Sequence, residues 1–176
     1  ERLLYACHDV TSLLQQGENV LASAIGDGWW RGNLTWLMKR AVYGDTTALL
    51  AQLEITYADG TCETIATDET WRGSTGSLIQ ADLYNGCEID LAREPAGWRK
   101  PGFDARDWEE VKTLPLPKGL EQRSMAPVRE VQSFDVGFHA NSRGTLSVDC
   151  GQNITGYLRL HVTAEDASSV QVRHAE

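Results

Sequence analysis

The stretch Leu49-Leu50-Ala51-Gln52-Leu53-Glu54-Ile55-Thr56-Tyr57-Ala58-Asp59-Gly60-Thr61-Cys62-Glu63-Thr64-Ile65-Ala66-Thr67 decides the fold. Leu49, Ala51, Leu53, Ile55 and Tyr57 alternate with Leu50, Gln52, Glu54 and Thr56, a period of two. Successive side chains of a strand point to opposite faces, so this period buries one face and wets the other. Ala58-Asp59-Gly60-Thr61 interrupts the pattern with an Asp-Gly turn signal, and Cys62 to Thr67 reads as the returning strand of a hairpin. The alternation recurs in Leu158, Leu160 and Val162 against Tyr157, Arg159 and His161, and again in Val170 and Val172. Short strands dominate, and the chain reads as all-β: an antiparallel β-sandwich, jelly-roll or galactose-binding-like, with a short second β unit.

Helical signals are brief. Asp9 to Leu14 could make a turn and a half before Gln16-Gly17-Glu18-Asn19, capped by Asp9 or Thr11. Asp104 to Val111 reads as a second short helix, with Trp108 and Val111 one turn apart. Three of the five prolines fall between Leu114 and Pro127, which reads as an extended connector. The expected organisation is therefore a sandwich over 1–113, a connector over 114–127, and four or five strands of a partial second β-sandwich unit over 128–176.

The net charge of −9 argues against nucleic acid or an anionic membrane surface as partner, because either requires clustered Lys and Arg. No apolar run approaches the ~20 residues that span a bilayer, and no signal-peptide pattern opens the chain. Glu1 falls inside what reads as ongoing structure, so further chain is expected upstream and the compartment stays open. Cys7, Cys62, Cys87 and Cys150 show none of the spacings of zinc or redox motifs and read as free, mostly buried thiols.

Chemistry concentrates in Gly26-Asp27-Gly28-Trp29-Trp30-Arg31-Gly32, which sets an acid, two indoles and a guanidinium between three glycines. Indoles offer flat apolar faces to a sugar ring, while Asp and Arg give directional hydrogen bonds to hydroxyls. Trp36, Tyr43 and Tyr84 sit in similar Gly-bearing contexts, whereas Trp71, Trp98 and Trp108 read as core. A buried turn packed by the same indoles is the competing reading of this stretch. Asp27, Asn33, Asp45 and Asn85 could supply oxygens to calcium if their loops share one end of the sandwich. With 25 acids, pairs such as Glu88 and Asp90 are easily nominated for glycoside hydrolysis, but each acid, Asp82 included, reads first as a cap, turn former or surface charge. No Gly-x-Ser-x-Gly elbow is present, and the four histidines are scattered.

Several stretches taken together resemble one family. His8-Asp9-Val10-Thr11-Ser12-Leu13-Leu14, Gly17 to Leu21, Gly26 to Gly32, Leu53 to Thr67, Thr70-Trp71-Arg72, Tyr84-Asn85-Gly86 and Pro95-Ala96-Gly97-Trp98 are similar, in colinear order, to the N-terminal β-sandwich region of bacterial α-L-rhamnosidases of the inverting type. Asp149-Cys150-Gly151-Gln152-Asn153, Gly156-Tyr157 and Arg173-His174-Ala175-Glu176 resemble the start of the next β domain of those enzymes.

The resemblance implies a non-catalytic accessory segment of a protein that hydrolyses terminal α-L-rhamnosides, with bond cleavage in an (α/α)₆ barrel farther along. It implies L-rhamnose or a rhamnosylated glycan as ligand and the catalytic domain of the parent chain as partner. Location would be the bacterial cytoplasm or outside the cell. The carbohydrate-binding set is then Asp27, Trp29, Trp30, Arg31, Trp36 and Tyr84. No cofactor is required, although Asp27, Asp45 and Asn85 could take calcium. An unpaired edge strand would allow a homodimer. Cys87, Ile89 and Trp30 depart from the family pattern, which expects an acid, an aromatic and a tyrosine there. A purely structural module packing against the barrel remains the alternative, and a small hydrolase using Glu88 and Asp90 a third.

Overall fold

A computed structural model of the protein describes residues 3–142, 144–163 and 168–174. The chain is an all-β, antiparallel β-sandwich protein built from short strands, with only single-turn helices between them. It divides into two compact units, Glu1–Gln122 and Arg123–Glu176.

The first unit contains β1 (Leu3–Tyr5), β2 (Asn33–Leu34), β3 (Lys39–Arg40), β4 (Gln52–Thr56), β5 (Cys62–Ala66), β6 (Arg72–Gly73), β7 (Leu78–Asp82), β8 (Gly86–Ile89), β9 (Glu109–Glu110) and β10 (Leu120–Gln122). The hairpin that opened the sequence reading is β4–β5, in register from Gln52 opposite Ala66 to Thr56 opposite Cys62. Its turn closes by Tyr57 N–H donating to Thr61 O at 2.9 Å, with Gly60 at φ +85°, where a side chain would be strained. Leu53 and Ile55 point to the half-buried side, as the alternation requires. β2–β3, β6–β9 and β7–β8 are also antiparallel. The exception is β1, which pairs in parallel with β10. The proline-bearing stretch 114–127 therefore contributes a strand to the first unit as well as linking the two.

Two sequence expectations give way here. Asp104–Val111 forms no helix: Glu109 and Glu110 are drawn into β9 opposite Gly73 and Arg72, and Asp104 instead accepts from Arg106 N–H at 3.1 Å in a local turn. The anticipated helix near Asp9 is one 3₁₀ turn, Thr11–Leu13, started by Thr11 N–H donating to Asp9 Oδ1 at 3.0 Å. In the second unit the described residues contain one hairpin, β11 (Phe138–Ala140) with β12 (Leu146–Val148). The alternating segments 157–162 and 170–172 carry the pattern of strands but have no ladder partner among the described residues.

Packing in the first unit centres on two places. Leu34 and Asp82 are buried, 7% and 5% exposed, together with Gly32. Farther along, Phe103 and Trp98 both pack on Trp108, at ring-centroid distances of 5.3 and 6.1 Å. Glu94 fixes this cluster by accepting from Trp98 Nε1 at 2.7 Å, from Arg99 at 2.5 Å and from Ser77 Oγ. The hydrogen bonds from Ser77, Trp98 and Arg99 hold its carboxyl well below the usual range, at about 2. The four cysteines are free, as expected, yet Cys7, Cys62 and Cys87 are exposed and Cys150 half-buried, which corrects the expectation of buried thiols. No helix among the described residues is long and apolar enough to cross a membrane.

Candidate functional site

The glycine-flanked stretch does not form an open loop. Gly28–Arg31 is a single α-helical turn, α1, closed by Arg31 N–H donating to Asp27 O at 3.0 Å and Gly32 N–H donating to Gly28 O at 3.2 Å. Gly28 starts it at φ +50°, a left-handed conformation that favours glycine. Gly32 ends it in a crowded position, where a Cβ would lie 2.4 Å from Gly28 O and 3.0 Å from Asp82 Oδ2. Gly28 and Gly32 are thus explained by backbone geometry before any ligand is considered.

Asp82, at the end of β7, organises what surrounds this turn. Its Oδ2 accepts from Asn33 N–H at 2.7 Å and from Asn33 Nδ2 at 2.9 Å. Its Oδ1 accepts from the backbone N–H groups of Tyr84 and Asn85, both at 2.9 Å. One carboxylate therefore joins the α1–β2 segment to the β7–β8 turn. Backbone N–H donors, Asn33 first and Asn85 next, stabilise its charged form and hold the group at about 2.

The structure treats the two adjacent indoles differently. Trp30 is half-buried, donates from Nε1 to Thr46 O at 3.0 Å and stacks on Tyr43 at 6.5 Å between centroids and 22° between planes. Gly44 lies against the indole at Cε2, Cζ2 and Nε1, so Trp30 acts in packing. Trp29 is 61% exposed and Trp36, at the tip of the β2–β3 hairpin, 100% exposed. Tyr84 is 55% exposed beside the Asp82 network. Asp27 faces two guanidinium groups, Arg40 at 2.5 Å and Arg31 at 3.7 Å. Asp45 is exposed and accepts from Thr46 Oγ1 at 3.0 Å, while Asn85 joins the network through its backbone.

These contacts bring three of the predicted segments together, around residues 27–36, 40–46 and 82–85. They do not assemble a cation cage. Asp27 is already matched by two cations, Asn33 directs its amide N–H at Asp82, and no group of three His, Cys, Asp or Glu side chains gathers among the described residues. The donor set does not fit calcium as it stands, since calcium takes six to eight oxygens. Asp90 serves as a cap, accepting from Ala92 N–H at 3.1 Å, and Glu88 stands opposite Gln80 in the β7–β8 ladder.

Beside Asp27 there is a hollow of about 70 Å³ lined by Ile25, Gly26 and Leu78 to Ala81, which suits water better than a sugar ring. A larger one of about 330 Å³, lined by Ser74, Thr75, Asp107, Glu109 and Glu110 among others, lies between β6 and β9, and one of its acids is paired with Arg72 at 2.9 Å. Any ligand of the predicted face would meet it on an open surface of aromatic rings. Sequence reasoning missed the linking role of Asp82, read there as a cap, turn former or surface charge, and it missed Arg40. The spacing Asp82-Leu83-Tyr84-Asn85-Gly86 carried a signal for the first, because an Asp side chain commonly accepts from N–H groups two and three residues on.

A family model described as the alpha-L-rhamnosidase N-terminal domain matches residues 1–132. The chain belongs to that family. The chain is 37% identical over 179 residues to an alpha-L-rhamnosidase of Streptomyces avermitilis, covering 100% of the chain and 17% of the relative. It is 31% identical over 180 residues to an alpha-L-rhamnosidase of Alteromonas sp. strain LOR, covering 100% and 20%. Among solved structures, the native alpha-L-rhamnosidase of Aspergillus terreus matches with a TM-score of 0.66 at 35% identity, over 73% of the chain and 15% of that protein. The chain thus spans about a fifth of the length of the curated relatives it matches.

Proposed function

We propose that the chain is a non-catalytic accessory module of an α-L-rhamnosidase and that it binds a rhamnosylated glycan on the face formed by α1, the β2–β3 hairpin and the β7–β8 turn. The observation that carries this reading is the Asp82 network. It fixes the backbone of two segments that present Trp29, Trp36 and Tyr84 to solvent, beside Arg31 and Arg40. Exposed aromatic rings on a fixed backbone offer stacking area at little ordering cost, and guanidinium groups take hydroxyls directionally. Binding here does not call for calcium, because Asp27 already has its counter-charges. Titration of the chain with L-rhamnose, monitored by tryptophan fluorescence with calcium and then with a chelator, should give the same weak saturable binding. Absence of saturation at millimolar sugar would refute the reading.

The structural alternative, a module docked on the catalytic domain of its parent chain, draws support from large apolar side chains standing in solvent, among them Leu13, Leu91 and Leu116. Turnover of an aryl α-L-rhamnoside by this chain would defeat both.

A further inference from the structure

We propose that Asn85-Gly86, in the β7–β8 turn, is a modification site: Asn85 deamidates spontaneously through a cyclic imide, and the isoaspartate formed weakens the join that Asp82 makes between the α1–β2 segment and this turn.

The reaction consumes only water. The backbone nitrogen of the following residue, having given its proton to solvent base, attacks the asparagine Cγ. The new nitrogen–carbon bond closes the imide, the Cγ–Nδ2 bond breaks, and the amide leaves as ammonia after taking a proton from water. Water then opens the imide at one carbonyl or the other, giving aspartate or isoaspartate. In isoaspartate the main chain runs through Cβ and Cγ, and the former main-chain carbonyl becomes the free carboxylate.

A side chain on the attacking residue hinders ring closure, and of the five asparagines Asn85 alone precedes glycine. The turn itself demands that glycine, because Gly86 lies at φ +78°, where a side chain would be strained. Space around it is open, since an added Cβ would meet nothing within 4 Å. Both residues are exposed. β8 begins at Gly86, so the attacking nitrogen stands at the end of its ladder, where local opening is easiest. Asn85 is held through its backbone N–H, while its side-chain amide has no partner among the described residues.

The other candidates are restrained. Asn33 commits its amide to Asp82 at 2.9 Å, Asn19 to Gln15 O at 2.8 Å, and Asn141 to Thr145 Oγ1. Asn153 precedes the β-branched Ile154. Asp27 and Asp59 precede glycines, but Asp27 is engaged by Arg40 at 2.5 Å and Asp59 accepts from Thr61 N–H at 2.9 Å. An ionised carboxylate resists the attack that an amide suffers.

The damage falls on the Asp82 network. Asp82 Oδ1 accepts from the N–H groups of Tyr84 and Asn85, and Asp82 stands opposite Gly86 in the ladder. Isoaspartate at 85 sets a second carboxylate beside the first, and its extra backbone carbon shifts the turn relative to Gly86. Like charges brought together disfavour one another, so both changes oppose the bonds that hold the turn.

The test ages the whole chain in warm, mildly alkaline buffer and follows tryptic fragments by mass spectrometry. Fragment 73–93 carries Asn85 and no other asparagine, and fragment 144–159 carries the exposed Asn153 as an internal control. Fragment 73–93 should convert well ahead of the control, faster as pH rises, and should become a substrate for an isoaspartyl methyltransferase. Asn85→Gln, whose longer side chain closes a less favourable ring, should abolish conversion. The melting temperature of the aged chain should fall by a few degrees while aged Asn85→Gln keeps its own, and the fall should shrink in Asp82→Asn. If fragment 73–93 converts no faster than 144–159, the modification site is refuted. If it converts and the melting temperature does not move, the link to Asp82 is refuted.

Discussion

Replacing Gly44 with alanine probes the assignment of Trp30 to packing. The new Cβ would lie 2.6 Å from Trp30 Cε2 and Cζ2 and 2.7 Å from Nε1, well inside contact distance. The ring cannot retreat freely, because its N–H is held by Thr46 O at 3.0 Å and its face by Tyr43. Overpacking costs about 1–3 kcal/mol, and loss of the Trp30 hydrogen bond about 0.5–1.5 kcal/mol. Some of each applies, so Gly44→Ala should destabilise the first unit by about 2 kcal/mol, or about 8 °C in melting temperature for a unit of this size. Urea unfolding followed by fluorescence reads the first quantity and thermal unfolding the second. In a Trp30→Phe background, where the clashing edge is gone, the same substitution should cost under about 0.5 kcal/mol, leaving a coupling of about 1.5 kcal/mol within the range found for touching residues. An unchanged unfolding midpoint for Gly44→Ala, or an equal cost in both backgrounds, would refute the packing role.

Acid should act through two carboxylates. Asp82 and Glu94 are both depressed to about 2, below their ordinary values, so the stability they contribute is complete above about pH 4.5 and is lost as pH falls toward 2. Melting temperature should decline across that window and decline less in Asp82→Asn; a flat profile would contradict the assignment. Leu34→Ala, at the buried apolar position beside Gly32, should cost about 2–3 kcal/mol, the lower part of the range for core leucines because its neighbours are half-exposed; chemical denaturation checks it. Trp36→Ala should alter stability by less than about 0.5 kcal/mol, since the ring is wholly exposed, while weakening sugar binding in the titration described above. Under native conditions a thiol reagent should modify Cys7, Cys62 and Cys87 promptly and Cys150 more slowly, which a time course by mass spectrometry resolves.

The β4–β5 hairpin was legible because everything that specifies it is local: alternation on both arms and an Asp-Gly turn between them. The family was legible for a different reason, the colinear order of many short motifs. Local pattern misled at Asp104–Val111, where Trp108 and Val111 stand at helical spacing but the partner that decides the outcome, Arg72–Gly73, lies more than thirty residues earlier. The same limit hid Asp82. Its local turn is announced by the Asp82-to-Asn85 spacing, but its bond to Asn33 spans 49 residues, and nothing local foretells that contact. Trp29 and Trp30 are identical in type and adjacent in sequence, and only the helical turn they share sends one ring inward to Tyr43 and the other outward.

The parallel pairing of Leu3–Tyr5 with Leu120–Gln122 has a consequence for biosynthesis. At about 5–20 residues per second, the ribosome needs roughly 6–23 s to proceed from Tyr5 to Gln122. Throughout that interval β1 lacks its β10 mate, and closing so long a loop afterwards costs about 4 kcal/mol in chain entropy. The β1–β10 pairing can therefore form only after Gln122 has been made, with β1 available to chaperones until β10 emerges.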